Sequence, residues 1–369
     1  MSKAFDTVSR AELFKDLAEI LENDELHLMK ILLKDVILQV RCGKELGPEI
    51  RTNVGVPQGD GMSPILFTLY LAQALKPKRE GIMEEHSYSL TPRKAEEMVP
   101  QHLIDHTYSR ITTDFLDINQ QYADDISYVT DAIFVHNNNK KNVPTTIKKR
   151  NLNDNSEKTE EYHVKRNGEE HWKKCKFVGS MLDTTNDINR RKGLAMCAYN
   201  KLKYIVESKK VSNNTKMKVI NTYVKSIFLY NSELWTLTKE LENTIDVFQR
   251  SLLRRTLGIY WHDKVTNTEL YRRANTTEWS REIKHRRLKW FGHLLRLPNE
   301  TPAKQALRAA LTPVKRPRGK PKLTWLGLIQ KDLAKINIRV SLENLEDLIK
   351  LANERSRWYG LTGLAMSNI

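Results

Sequence analysis

Apolar residues recur at helical spacing over the first fifty positions. Leu13, Leu17, Ile20, Leu21, Leu28, Ile31, Leu32 and Val36 follow one another at intervals that predict helix to about residue 50. Residues 51–60, Arg-Thr-Asn-Val-Gly-Val-Pro-Gln-Gly-Asp, hold two glycines and a proline and predict a strand end and a loop. Ser63-Pro64 then reads as an N-cap with proline at the first helical position, and the apolar run 65–71 as a buried helix. Residues 76–110 are polar and irregular, a helix with loops. Residues 117–130 predict strand, turn, strand, with Tyr122, Ile126, Tyr128 and Val129 flanking Asp124-Asp125. Residues 137–160, rich in Asn and Lys, predict an exposed loop with a helix around 143–152. Residues 174–182 predict one short strand containing Gly179. From Ile188 onward the pattern is helical and basic, with breaks near residue 185 and at 298–302. A last amphipathic segment carries Trp325, Leu326, Leu328, Ile329 and Leu333, and there is no internal repeat.

Composition narrows the function classes. The 369 residues suffice for two or three domains with real cores. No stretch approaches the roughly 18 uninterrupted apolar residues of a membrane helix, and the polar start Met1-Ser2-Lys3-Ala4-Phe5-Asp6 is not a secretory signal. Cys42, Cys175 and Cys197 form no CxxC pair, which argues against a disulfide framework or zinc module and fits an intracellular setting, nuclear or cytoplasmic. A net charge of +16 favours polyanions, chiefly nucleic acid, through counterion release.

Several positions could carry chemistry. Two adjacent carboxylates on a tight turn, Asp124 and Asp125, can present charge to hard divalent cations, although a solvated turn also explains them. Residues 55–64, Gly-Val-Pro-Gln-Gly-Asp-Gly-Met-Ser-Pro, let backbone approach a phosphate or base, or simply turn into a core helix. Arg286, Arg287, Lys289 and Arg296 beside Trp290 and Phe291 suit single-stranded nucleic acid, and equally a helix with an aromatic core stripe and a basic outer face. Lys315, Arg316, Arg318 and Lys320 punctuate a Pro/Gly linker that reads as a nucleic-acid contact, an import signal or a solvated spacer.

The loop at 55–64 followed by Tyr122-Ala123-Asp124-Asp125 closely resembles motifs B and C of reverse transcriptases, and the whole resembles the LINE-type, non-LTR retrotransposon lineage. Lys3-Ala4-Phe5-Asp6-Thr7-Val8 resembles the end of motif A. Asn153-Asp154-Asn155-Ser156-Glu157-Lys158-Thr159-Glu160 resembles motif D, and Phe177-Val178-Gly179-Ser180 the primer-gripping motif E. Leu229-Tyr230-Asn231-Ser232-Glu233-Leu234-Trp235 and Arg287-Leu288-Lys289-Trp290-Phe291-Gly292-His293 resemble blocks of the C-terminal part of these polyproteins.

The resemblance implies an α+β chain: a partial right-hand polymerase palm at 1–185, a helical thumb-like region at 186–300 and a basic C-terminal region at 301–369. It implies two Mg²⁺ held by Asp124 and Asp125, dNTP substrates, an RNA template and a DNA primer. Gln58, Gly59 and Tyr122 would contact template and incoming nucleotide, Phe5 would exclude a ribose 2′-OH, and Lys158 would lie near the triphosphate. Nothing in the sequence specifies a protein partner. Motif A of this lineage reads Asp-x-Ser-Lys-Ala-Phe-Asp, and here its first aspartate would precede Met1, so Asp6 is not its equivalent. The chain therefore reads as a 5′-truncated copy begun at an internal methionine. Polymerase activity is expected to be impaired, the alternative being an inactive fragment that binds RNA or DNA.

Overall fold

The computed structural model describes residues 4–34, 36–57, 59–83, 117–122, 125–130, 133–163, 171–312 and 323–367. These form a mixed chain of helices and small antiparallel sheets, an α+β architecture, and divide into two compact units: described residues up to 161, and those from 162 on. The expected boundary near 185 falls just inside a helix that starts at Thr184.

The first unit begins with a turn at Phe5–Thr7, helix α1 (Arg10–Ala18) and helix α2 (Asn23–Leu33). The Ser9 hydroxyl caps α1 by accepting from the Glu12 amide. Helix does not persist to residue 50. Strand β1 (Val36–Leu38) pairs with β4 (Ile50–Thr52), and β2 (Arg41–Cys42) with β3 (Glu45–Leu46) inside that excursion. Of the apolar residues that suggested one helical face, Leu13 and Leu17 are buried, while Ile20, Leu28, Ile31 and Leu32 are exposed. Helix α3 (Ser63–Met83) supplies Leu66, Phe67, Tyr70, Leu71, Ala74 and Leu75 to the core, one face of a 3.6-residue period. Its first helical bond runs from the Leu66 amide to the Met62 carbonyl, so Met62 holds the cap position and the Ser63 hydroxyl is buried without a partner.

Strands β5 (Asp117–Tyr122) and β6 (Asp125–Thr130) form the expected hairpin. Helix α4 (Ile133–Lys148) covers the Asn/Lys-rich stretch that had read as a loop. Burial explains the difference: Asn139, Val143 and Ile147 face the core, and packing overrides the weak helix propensity of Asn and Pro144. Tyr70 donates to the Arg150 carbonyl, and Asp16 pairs with Arg150 at 2.5 Å, tying α1 and α3 to the end of α4.

The second unit opens with a hairpin rather than one strand: β7 (Lys176–Phe177) and β8 (Ser180–Met181) pair around Val178 and Gly179, both at positive φ. Such a two-residue turn matches the strand twist. Helices α5 (Thr184–Lys201), α6 (Lys203–Val206), α7 (Asn213–Val219), α8 (Ser226–Phe228), α9 (Lys239–Leu257) and α10 (Asn267–Ala274) enclose a core centred on Phe228, Trp235 and Trp279. Helix α11 (Trp279–Arg296) gives Trp279 and Ile283 to this core. Its later residues Leu288, Phe291 and Leu295 enter a second core with α12 (Pro302–Leu311), α13 (Trp325–Ala334), α14 (Leu345–Asn353) and α15 (Arg355–Ser367). The interruption at 298–302 is therefore a corner between helices that share a core.

Candidate functional site

The hairpin that carries the paired acids closes on the Tyr122–Asp125 pair, the last in its register. Ala123 and Asp124 lie outside the described residues. On β6, Ile126 and Tyr128 pack against the first unit's core, which fixes the strand, while the Asp125 side chain is exposed at its start. The Asp125 side chain has no hydrogen bond or ion pair among the described residues. An exposed, unpaired carboxylate held by a packed strand is a fitting hard donor for a divalent cation. One such donor is not a metal site, and no cluster of three or more His, Cys, Asp or Glu occurs among the described residues.

The glycine loop is built against the chain's beginning. The Gly55 amide donates to the Val8 carbonyl and the Val56 amide to the Phe5 carbonyl, both at 2.9 Å. Gly55 sits at φ +82°, and its α-carbon is so close to residues 5 and 6 that no side chain fits. Gly59 also has positive φ, +93°, but open space surrounds it. Glycine is needed at 55 for both conformation and contact, and at 59 for conformation alone. Gln58, between them, lies outside the described residues. The Phe5 ring is half-buried and stacks on Phe67 with centroids 4.7 Å apart. Part of this proposed gate therefore serves the core. Lys158 is exposed, and its amide donates to Asn155 in the turn that carries it.

A residue that the sequence did not single out holds this arrangement. Arg10 is buried, and its guanidinium donates to the carbonyls of Leu33 (2.5 Å), Thr52 (2.8 Å) and Gly55 (2.8 Å). One planar fork thus joins the start of α1, the end of α2, β4 and the glycine loop. Burial lowers its pKa from the usual value, but a guanidinium stays charged. The only local sign was an arginine between the apolar positions Val8 and Leu13.

The hairpin at 176–181, where motif E was expected, has its own support in the second unit. Asp187, fully buried, accepts from the Met181 amide and from the Trp235 indole at 2.9 Å. Arg191 donates to the Gly179 carbonyl and lies over the Tyr230 ring, whose hydroxyl donates to the Val178 carbonyl. The block 229–235 therefore buttresses this turn.

The basic residues proposed on α11 have separate fates. Arg287 does not reach the surface: it is 1% exposed and pairs with Asp332 at 2.6 Å inside the second core. A charge in an apolar interior must be paired, and Asp332 meets that demand. Arg286 pairs with Glu282 and donates to the Leu229 carbonyl, and Arg296 donates to the Ala352 carbonyl near the end of α14. Trp290 is half-buried against the second core, and Lys289 is exposed with its ammonium over the Tyr359 ring. Of this group only Lys289 is exposed; Arg286 and Arg296 are partly buried. Lys315, Arg316, Arg318 and Lys320 lie outside the described residues.

Among the described residues no helix is long and apolar enough to cross a membrane. Residues 1–182 match the family model described as reverse transcriptase (RNA-dependent DNA polymerase). The match spans both the glycine loop and the acidic hairpin, and supports a reverse transcriptase domain in this part of the chain. No curated protein matches the chain.

Proposed function

We propose, from the reverse-transcriptase match over residues 1–182, that this chain derives from a non-LTR (LINE-type) retrotransposon and carries the palm of its RNA-directed DNA polymerase at 1–185. The observation that carries this reading is the exposed Asp125 side chain, without a partner among the described residues, at the closing pair of a hairpin anchored in the first unit's core. Asp124 and Asp125 would hold Mg²⁺, which when bound neutralises the charge that develops as a 3′-OH attacks a dNTP. Gly59 and Gln58 meet template and incoming nucleotide, with Tyr122 beside the acids in the sequence. The face of Phe5 not covered by Phe67 limits the sugar, and Lys158 serves the triphosphate. The helical residues from 186 to 300 act as a thumb, and those from 301 on as a basic region that grips the RNA template and DNA primer. Such a protein works in the nucleus, the cytoplasm or both.

A second reading is favoured by one observation. The net charge of +16 suits RNA or DNA whether or not the hairpin carboxylates turn over a nucleotide. In this reading the chain is retrotransposon-derived and catalytically inactive, and it binds RNA or DNA. Primer extension on an RNA template, paired with filter binding over a salt series, separates the two readings. Retained, salt-sensitive binding with little extension supports the second; extension that depends on Asp124 supports the first.

A further inference from the structure

Between α9 and α10 three consecutive aromatic residues, Tyr260, Trp261 and His262, stand on the surface. Trp261 is 90% exposed and Tyr260 65%, while Trp235, Trp279 and Trp358 are buried. Indole burial is among the largest favourable contributions a side chain makes, so contiguous exposed rings on a fixed support mark a surface kept for a partner.

The support is fixed. Helix α9 ends at Gly258 in the left-handed region, and the Ile259 amide returns to the Arg254 carbonyl at 2.9 Å. The Asp263 carboxylate accepts from the Tyr260 amide at 2.7 Å, and the Asp263 amide donates to the Tyr260 carbonyl. Arg254 donates to the Val265 carbonyl and to the Asn267 side chain, closing the far end of the turn. On this knuckle the Tyr260 and His262 rings stack 5.6 Å apart and 10° from parallel, with Trp261 edge-on to His262.

The surroundings are basic. Residues 250–273 hold Arg250, Arg254, Arg255, Lys264, Arg272 and Arg273 against only Asp263 and Glu269. Glu269 is paired with Arg272 and Arg273, and Asp263 caps the turn. Lys264 is exposed and has no ion pair among the described residues.

We infer that the Tyr260–Trp261–His262 knuckle is a stacking contact for single-stranded nucleic acid, with Lys264 and the neighbouring arginines meeting its phosphates. Exposed rings flanked by cations match the stacking-plus-phosphate chemistry of single-stranded nucleic acid, whereas protein interfaces are depleted in lysine. The inference rests on the nucleic-acid reading for the class of partner, and requires no polymerase activity. It uses none of the basic residues of α11.

The test titrates a 20-nucleotide oligo(dT) or oligo(U) into the full chain at low salt and follows intrinsic tryptophan fluorescence. Trp261 is the most exposed of the buried and exposed tryptophans compared above, so stacking on it quenches the wild type. Trp261→Phe loses that quench but keeps its affinity, and Trp261→Ala binds roughly 5- to 150-fold more weakly, the range for one stacked base. Equal affinity in Trp261→Ala overturns the proposal while leaving nucleic-acid binding elsewhere intact. No binding by the wild type overturns both. Self-association that Trp261→Ala abolishes and oligonucleotide does not compete would assign the knuckle to a second copy of the chain, and also overturns it.

Discussion

The backbone of Gly55 lies directly against that of Asp6: a β-carbon at residue 55 would stand 2.9 Å from the Asp6 Cα and equally close to the Phe5 and Asp6 carbonyl oxygens. Gly55→Ala must therefore push the glycine loop off the chain's first turn and also hold alanine at φ +82°. The expected cost is about 3 kcal/mol, combining backbone strain with overpacking. Hydrogen exchange should show the amides of Gly55 and Val56 losing protection. Unchanged protection and an unchanged denaturation midpoint would contradict the contact.

Arg10 supplies the second prediction. Arg10→Met leaves the carbonyls of Leu33, Thr52 and Gly55 without their side-chain donor. At about 1–3 kcal/mol for each buried group left unpaired, the first unit should lose roughly 3 kcal/mol or more. Arg10→Lys should recover less than half of this, because one ammonium cannot span the positions a planar fork reaches. Denaturant midpoints of both variants check this, and equal stability of Lys and Arg would contradict the bridging role.

Gly292 meets Trp358 inside the second core. A β-carbon there would fall 2.2 Å from the Trp358 indole nitrogen, which donates to the Leu288 carbonyl at 3.1 Å. Gly292→Ala should displace the buried indole and cost about 2–4 kcal/mol through overpacking and a lost hydrogen bond. Thermal unfolding followed by near-ultraviolet circular dichroism reads the change, and a wild-type Tm would count against this packing.

Lys304 makes stability depend on pH. Burial, helped by nearby Arg308, pulls its ammonium from 10.5 down to about 8, with the Leu295 carbonyl as its acceptor. Between those two values the folded protein holds Lys304 neutral while the unfolded chain is protonated, so unfolding takes up a proton. Stability from this group therefore rises as pH increases from 8 to 10.5, by up to about 3 kcal/mol, and is flat outside the window. Urea midpoints at pH 7.5, 9 and 10 should show a rise that Lys304→Met lacks. Parallel curves would contradict it.

The hairpin at 117–130 was legible because strand-forming residues flank a short turn, and its observed strands end where that pattern does. Residues 36–52 were not legible as strands. Ile37, Leu38 and Ile50 are exposed, so their apolar character continues the helical spacing without marking a buried face. The Asn/Lys run at 137–141 concealed a helix because the burial that stabilises it comes from Asn139, Val143 and Ile147 meeting a distant core. Arg287 resembled a nucleic-acid contact because its acid, Asp332, lies 45 residues away, beyond any local pattern. Of the candidate site, the sequence reached Asp125, Gly59 and Phe5 through motif spacing. It missed Arg10, whose partners are backbone carbonyls and leave no sequence trace.

The central claim is that the carboxylates of the β5–β6 hairpin drive nucleotide transfer. The direct measurement is Mg²⁺-dependent primer extension on an RNA template by the wild-type chain and by its Asp124→Ala and Asp125→Ala variants. Extension by the wild type should fall by orders of magnitude in Asp124→Ala and Asp125→Ala, while salt-sensitive template binding is retained. Extension that survives both alanine substitutions would contradict it.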